Sequence, residues 1–285
     1  MIIGFEDPHK YLYHYTKART AIKIILKKRI LKIGNFTSTN DPKETKEWEF
    51  SLGTNENRDF GKYNMGELSQ ILSIELKEKT KVICFSRDRE PLSGDHLRGI
   101  FNRGFCKPRM WDQYADNHRG VCLIFEKERL KEIISNLFSN VYRVIHGDVV
   151  YIDRSVIPAL SEGDYTINID YFEKYGLKEY AKAHFSTFHK RLFFEKMIDW
   201  SNEDEFRWIL LTDKNDDLYF NFKDALKGIV FGENTNKKDI DRIIDLTKDE
   251  IEYIGIKWKN CSPWYDFGNF KYEKKLRNSL WLKNK

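Results

Sequence analysis

The chain is predicted to fold as an α+β protein, with a mixed or split β-sheet core and flanking helices. Short runs rich in β-branched and aromatic residues, such as Val82 to Phe85, Val121 to Phe125, Phe206 to Leu211 and Ile229 to Phe231, alternate with longer segments whose apolar positions recur at helical spacing. Hydrophobic residues make up 41% of 285 positions and aromatics 15%, enough to bury a substantial core and line a cleft. No Pro/Gly/Ser-rich linker interrupts them, so residues 1–270 read as one domain and residues 271–285 as a basic C-terminal segment.

Tyr11 to Thr16 (Y-L-Y-H-Y-T) alternates aromatics and suits a short strand carrying His14 between Tyr13 and Tyr15. Ala18, Ala21, Ile22, Ile25 and Leu26 then recur at helical spacing, which predicts a helix from Lys17 to Lys32 ended by Gly34. Phe36 to Thr39 is expected to form a second strand, and Asn40-Asp41-Pro42 a turn that starts a helix with Glu44 in its first turn. A helix over Glu67 to Glu78 and a buried strand over Lys81 to Ser86 follow. Arg87 to Lys107 mixes charge with Gly94, Gly99 and Gly104, and is expected to be a mobile loop beside a cleft. Met110 to Tyr114 suits a helical turn, Val121 to Phe125 a strand, Lys127 to Phe138 a helix, Val141 to Ile152 a strand and Tyr171 to Lys190 a helix. Toward the end come strands over Leu218 to Phe222, Ile229 to Gly232 and Ile251 to Trp258, with a helix over Lys237 to Leu246.

Chemistry concentrates in Lys196 to Arg207, K-M-I-D-W-S-N-E-D-E-F-R. Glu203, Asp204 and Glu205 stand at the mouth of the apolar run that starts at Phe206. A strand's period of two would aim Glu203 and Glu205 at one face and Asp204 away, with Arg207 continuing the first face and holding one acid ionised. Two such carboxylates can divide labour when their environments separate their pKa values. The same residues also describe a solvated strand entrance paired with Lys196 and Arg207. Amide replacement of either glutamate is expected to leave the fold intact.

Composition narrows the classes. Cys84, Cys106, Cys122 and Cys261 lack C-x-x-C or short Cys/His spacing, so neither a zinc site nor a disulfide framework is signalled. The N-terminal stretch lacks a signal-peptide pattern and no run approaches a membrane span, which sets the expectation of a cytoplasmic protein with no membrane partner. The net charge of +5 resides in Lys271 to Lys285, which would suit either a phosphate backbone or a docked amphipathic helix.

Taken together, H-Y-T at His14 to Thr16, N-D-P-x-E at Asn40 to Glu44, C-F-S at Cys84 to Ser86, M-W-x-x-Y at Met110 to Tyr114, R-G-V at Arg119 to Val121 and K-x-x-x-W-x-x-E-x-E-F-R at Lys196 to Arg207 resemble the bacterial domain of unknown function 2971 family. More distantly, an aromatic strand with H-Y-T followed by a helix and a strand resembles the opening of ADP-ribosyltransferase folds. That resemblance implies NAD as substrate. His14, with Tyr15 and Thr16, would bind the nicotinamide ribose, and Glu205 would stabilise a ribosyl cation. Glu203 would position an acceptor, either protein or nucleic acid. Arg119 or Arg207 would meet the pyrophosphate, and Tyr15, Phe36, Trp111 and Tyr114 are all eligible to stack on nicotinamide. Asn40, Asp41, Glu44, Trp111 and Trp200 would support these groups, although capping and core packing also account for them. The resulting reading is an NAD-consuming transferase or hydrolase, in a class context of toxins and anti-phage effectors. A non-catalytic module binding a nucleotide, nucleic acid or phage protein remains the alternative. A metal-dependent nuclease, with Glu203, Glu205 and Lys196 converging on a cation, is the third.

Overall fold

A computed structural model describes residue 2 and residues 6–56, 58–92, 95, 97–155, 163–214, 216–247 and 251–266. The basic segment from Lys271 to Lys285, and Gly94 of the long loop, lie outside the described residues.

The strands are β1 (Tyr11–Thr16), β2 (Ile30–Asn35), β3 (Ser51–Gly53), β4 (Thr80–Arg87), β5 (Val121–Glu126), β6 (Arg143–Asp148), β7 (Val150–Tyr151), β8 (Thr166–Asn168), β9 (Glu195–Lys196), β10 (Glu205–Leu211), β11 (Leu218–Asn221), β12 (Leu226–Phe231), β13 (Glu252–Lys259) and β14 (Ser262–Asp266). The helices are α1 (Ala18–Thr20, widening into a π-helical stretch over Ala21–Leu26), α2 (Pro42–Thr45), α3 (Met65–Glu78), α4 (Pro108–Gln113), α5 (Lys127–Phe138), α6 (Ile169–Phe193) and α7 (Lys237–Thr247). The class is α+β. Among the described residues one large sheet runs β11-β2-β4-β1-β5-β12-β13-β14, with β10 on β4 and β6 beyond it. It is mixed, because β12 and β13 are parallel while its other ladders are antiparallel.

The pairing of β4 divides this sheet. A strand has two hydrogen-bonding edges, and β10 occupies one of them from Thr80 to Ser86. The other edge is shared: β2 pairs at Lys81 and Val82, whereas β1 pairs at Ser86 and Arg87. Residues 83–85 therefore have no strand partner on that side, and the sheet splits there. The chain crosses from β1 to β2 through α1, whose Ala21, Ile22, Ile25 and Leu26 pack with Leu12, Leu31, Ile83 and Phe85 over one face of the split.

Most predicted elements fall where the periodicity places them, and the exceptions have physical causes. The helix expected to reach Lys32 stops after Lys28. Arg29 turns the chain at φ 54°, and the alternating burial of Leu31 and Ile33 around exposed Lys32 is a strand's period of two. Phe36 to Thr39 is not a strand: Phe36–Ser38 is a single 3₁₀ turn that buries Phe36 against Trp48 and Phe193 before Asp41 caps α2. Val141 to Ile152 breaks into β6 and β7 at the buried Val149.

The loop from Arg87 to Lys107 is packed over much of its described length. Ile100, Arg103, Phe105, Cys106 and Lys107 are buried, and none of its described residues lines the cavity treated below. Its anchor is Asp88, fully buried, which accepts hydrogen bonds from the Tyr13 hydroxyl at 2.9 Å and the Gly104 N–H at 2.7 Å, with the Arg103 guanidinium 3.9 Å away. Gly104 is required there, since a Cβ would run into the Tyr13 ring. Gly104 thus marks close packing in this loop rather than freedom.

Burial pushes the Asp88 carboxyl up to about 6 against the pull of Gly104, Arg103 and Tyr13. A carboxyl raised in the folded state contributes stability that is complete below its unfolded value and is lost as pH rises through its folded value. Asp88→Asn removes this titration while keeping an acceptor. Relative to the parent protein, the variant should therefore gain roughly 2–3 kcal/mol between about pH 4 and about pH 7 in urea melts. A pH-independent difference would show that Asp88 does not carry the shift.

Candidate functional site

The split opens into a cavity of about 540 Å³. Ile24, Ile25, Ile30, Leu31 and Tyr219 line an apolar part, and Asn40, Asp41, Ser86, Tyr114, Trp200, Lys196, Glu203 and Glu205 a polar one. Alternation along β1 puts His14 on the face of Leu12, whereas the registers Tyr13 to Ser86 and Glu205 to Ser86 put Glu205 on the face of Tyr13. Both residues nevertheless line the cavity, which passes through the split.

His14 sits in the gap, with Nδ1 3.4 Å from the Cys84 carbonyl oxygen and its ring 5.5 Å from that of Phe85. Burial lowers its pKa more than the Cys84 carbonyl raises it, so the imidazole is neutral near pH 7 and has a donor and an acceptor nitrogen.

The acids are arranged by a turn rather than by a pleat. Glu203 ends the 3₁₀ segment Ile198–Glu203, Asp204 adopts the left-handed conformation at φ 43° and ψ 57°, and Glu205 begins β10. Asparagine and aspartate tolerate that conformation better than most side chains. The turn sends Asp204 to Arg89 and Lys107, whose nitrogens contact its Oδ2, and returns Glu203 and Glu205 to a common partner. The Lys196 ammonium lies 2.9 Å from Oε2 of Glu203 and 2.9 Å from Oε2 of Glu205.

Arg207 lies beneath. Its guanidinium donates to Glu205 from Nε at 2.5 Å and Nη2 at 2.7 Å, and from Nη1 to Glu44 Oε1 at 2.6 Å and the Phe193 carbonyl at 2.9 Å. Glu203 is tied more lightly: the Tyr114 hydroxyl donates to its Oε1 at 3.1 Å, while Asn40 Nδ2 donates to that hydroxyl at 3.5 Å. These ties split the two glutamates. Burial works to raise Glu205, but Arg207 and Lys196 outweigh it and hold the carboxyl well below the usual carboxylate range. Burial, joined by the charge of Glu205, raises Glu203 despite Lys196.

The remaining sequence candidates divide. Thr16, Asn40, Asp41, Tyr114 and Trp200 line the cavity, with the Lys196 ammonium 5.2 Å from the Trp200 ring centre. Arg207 and Glu44 support it from below. Tyr15 reaches the cavity wall, but its hydroxyl is committed to the Gly104 carbonyl at 2.8 Å and its ring to Trp111. Phe36 is core and does not line the cavity. Trp111 is likewise core, fully buried, with Nε1 donating to the Phe105 carbonyl at 2.8 Å. Arg119 does not line the cavity: it is exposed and pairs with Asp116 at 3.2 Å. Its motif is explained by Gly120, where a Cβ would strike the carbonyl oxygens of Thr16 and Ala115. Sequence reasoning missed Thr39 and Ser86 as cavity residues, although Ser86 stands in the C-F-S motif.

The protein is therefore an α+β chain whose split mixed sheet holds a buried ion cluster at the wall of a cavity. Residues 110–208 match the family model described as Protein of unknown function (DUF2971), a stretch that contains M-W-x-x-Y, R-G-V and K-x-x-x-W-x-x-E-x-E-F-R. The family resemblance holds over those residues. No curated protein and no solved structure matches the chain. Among the described residues, no helix is long and apolar enough to cross a membrane.

The cluster revises the expectation that both amide replacements are tolerated. Removing the charge of Glu205 leaves Arg207 and Lys196 buried with too little counter-charge, which should cost about 3–5 kcal/mol. Glu203→Gln leaves Lys196 paired with Glu205 and should cost no more than about 1–2 kcal/mol. Urea melts of both variants near neutral pH check this, and equal losses would contradict the assignment of Arg207 to Glu205.

Proposed function

We propose that the cavity binds NAD and cleaves its bond between nicotinamide and ribose, passing ADP-ribose to water or to a protein or nucleic-acid acceptor, as ADP-ribosyltransferase-type enzymes do. The observation that supports this is the shared cavity: a neutral imidazole, His14, and the Glu203/Glu205 pair line one space. Its charge suits the chemistry. The polar part carries Asp41, Glu203 and Glu205 against Lys196, and the pyridinium of NAD is a cation.

In the proposed reaction the glycosidic C–N bond breaks heterolytically. The electron pair leaves with nicotinamide, which becomes neutral, and positive charge develops on the ribose. Water or an acceptor hydroxyl or amine then adds to the ribose carbon and loses a proton. Preorganised negative charge beside the ribose stabilises this transition state more than the ground state. Glu205, with both oxygens held by Arg207 and Lys196, supplies fixed charge, but those two cations offset it together with Glu44. Ionisation of Glu203 is what turns the cluster net negative. Glu203 is thus the group whose protonation controls the rate, and its raised pKa suits it to take the proton of the attacking group. His14 would hold a ribose hydroxyl.

The position of Lys196 argues against a metal-dependent nuclease: its ammonium already occupies the place between the two carboxylates that a cation would need.

Incubating the protein with NAD should release nicotinamide. The rate should rise with pH through a midpoint above the ordinary glutamate value, because the active form of Glu203 is deprotonated and activity is lost as pH falls through its raised pKa. Glu203→Gln should lower the rate by about a hundredfold and abolish that limb of the profile. His14→Ala should weaken NAD binding by about tenfold. Absence of nicotinamide release with water and with protein and nucleic-acid acceptors would overturn the proposal.

A further inference from the structure

The cavity wall carries buried polar oxygens that the ion cluster leaves unused. Asp41, 1% exposed, accepts the Lys43 N–H at 2.9 Å through Oδ1 as the cap of α2, while its Oδ2 has no hydrogen-bond partner. Ser86, also 1% exposed, has an unpartnered Oγ, and so does Thr39 at Oγ1. All three residues line the cavity.

Capping explains only half of Asp41. A helix cap on a solvated surface gives its second carboxylate oxygen to water, whereas this one is buried at the wall of the cavity. Burial raises the Asp41 pKa in spite of the Lys43 N–H, and Glu44 adds to the rise. Buried polar groups without partners destabilise a fold, so three along one cavity are a cost the fold bears without return from packing.

We propose that Asp41, Thr39 and Ser86 form a sugar-hydroxyl subsite that holds the ribose of a bound nucleotide. The donor inventory selects this class. A carboxylate oxygen accepts only, whereas the two hydroxyls each need a donor and an acceptor. Sugar hydroxyls offer both functions on adjacent carbons. An ammonium only donates, and a phosphate would meet the Asp41 charge. Ser86 pairs in register with Glu205 across β4 and β10, and Thr39 and Asp41 flank Asn40, which reaches toward Tyr114 and Glu203. The subsite therefore lies beside the acids. This inference rests on the proposed NAD reaction for the identity of the sugar.

The test measures three quantities on the full chain and on the variants Ser86→Ala and Asp41→Asn: calorimetric binding of ADP-ribose, nicotinamide release from NAD, and Tm. Asp41→Asn keeps the cap oxygen. Ser86→Ala removes one hydroxyl that has no partner in the fold. Each variant is expected to weaken ADP-ribose binding by about tenfold. Ser86→Ala should at the same time leave Tm unchanged or raise it by about 2 °C, a combination that a structural serine would not show. ADP-ribose that binds the parent and both variants within about twofold, or fails to bind the parent at all, overturns the subsite. So does a lowered Tm for Ser86→Ala. The two proposals separate cleanly. Asp41- and Ser86-dependent binding without nicotinamide release supports the subsite and overturns NAD cleavage. Nicotinamide release with KM unchanged in both variants overturns the subsite and leaves cleavage standing.

Discussion

A guanidinium with no exposed surface organises this molecule. Arg207 is fully buried on β10, and its charge must be met inside the protein. Glu205 meets it from the same strand, and Glu44 meets it from α2, 163 residues earlier in the chain. Lys196 of β9 then closes the arrangement by bridging Glu205 to Glu203. Clusters of this kind add little net stability over a well-packed apolar core, but breaking one is costly. Their effect is to hold segments in one relation. Here the short helix α2 is fastened by Glu44, and Asp41, three residues before it at the cap, is thereby placed on the cavity wall. N-D-P-x-E is accordingly a device with two ends: one end anchors and the other faces the cavity.

The second constraint is the shared edge of β4. Once β10 takes one side of that strand, β1 and β2 must divide the other, and the residues between their footprints are left without a strand neighbour. His14 fills part of that gap by approaching the Cys84 carbonyl, and α1 closes one face with aliphatic side chains. The cavity is therefore a consequence of strand pairing rather than of a loop insertion. That origin explains its mixed lining, since it draws apolar walls from the α1 face and charged walls from the β10 face.

How far the sequence discloses this depends on the range over which each signal acts. β1, β4, β5, β10, β12 and β13 were legible because β-branched and aromatic runs report local burial directly, and α5 and α7 because their apolar stripes keep the helical period. β3, β8 and β9 were not, being two or three residues long and therefore without a period to detect, and neither was the break that divides the run from Val141 to Ile152 into β6 and β7. The step from α1 into β2 was lost because Ile30 and Leu31 extend the apolar run while the period silently changes. Among site residues, His14, Glu203, Glu205 and Tyr114 could be picked by chemistry and motif, and the structure brings them to one cavity. Arg119 and Trp111 were picked by the same means and lie elsewhere, since a motif records that a residue matters without recording whether packing is the reason. Ser86 shows the converse: a serine at the end of a buried strand carries no local mark, and only the path of β10 alongside it reveals an unpartnered hydroxyl beside an acid.

The triplet Glu203-Asp204-Glu205 shows how one backbone conformation can sort like residues into unlike environments. Three consecutive carboxylates on a regular strand would put two on one face in equivalent surroundings. With Asp204 in the left-handed region, which costs about 1–3 kcal/mol of backbone strain, the pleat is replaced by a turn. Asp204 then holds Lys107 and Arg89, which belong to the packed loop built on Asp88. Glu205 is locked under two cations, whereas Glu203 keeps one cation and a phenol. The two glutamates thus share Lys196 yet are pushed in opposite directions on the pKa scale. Because the turn that separates them is itself held by Lys107 and Arg89, the placement of the two glutamates rests on that loop as well as on Lys196 and Arg207. The ion pairs of Asp204 with Arg89 and Lys107 are the physical link between that loop and the acids.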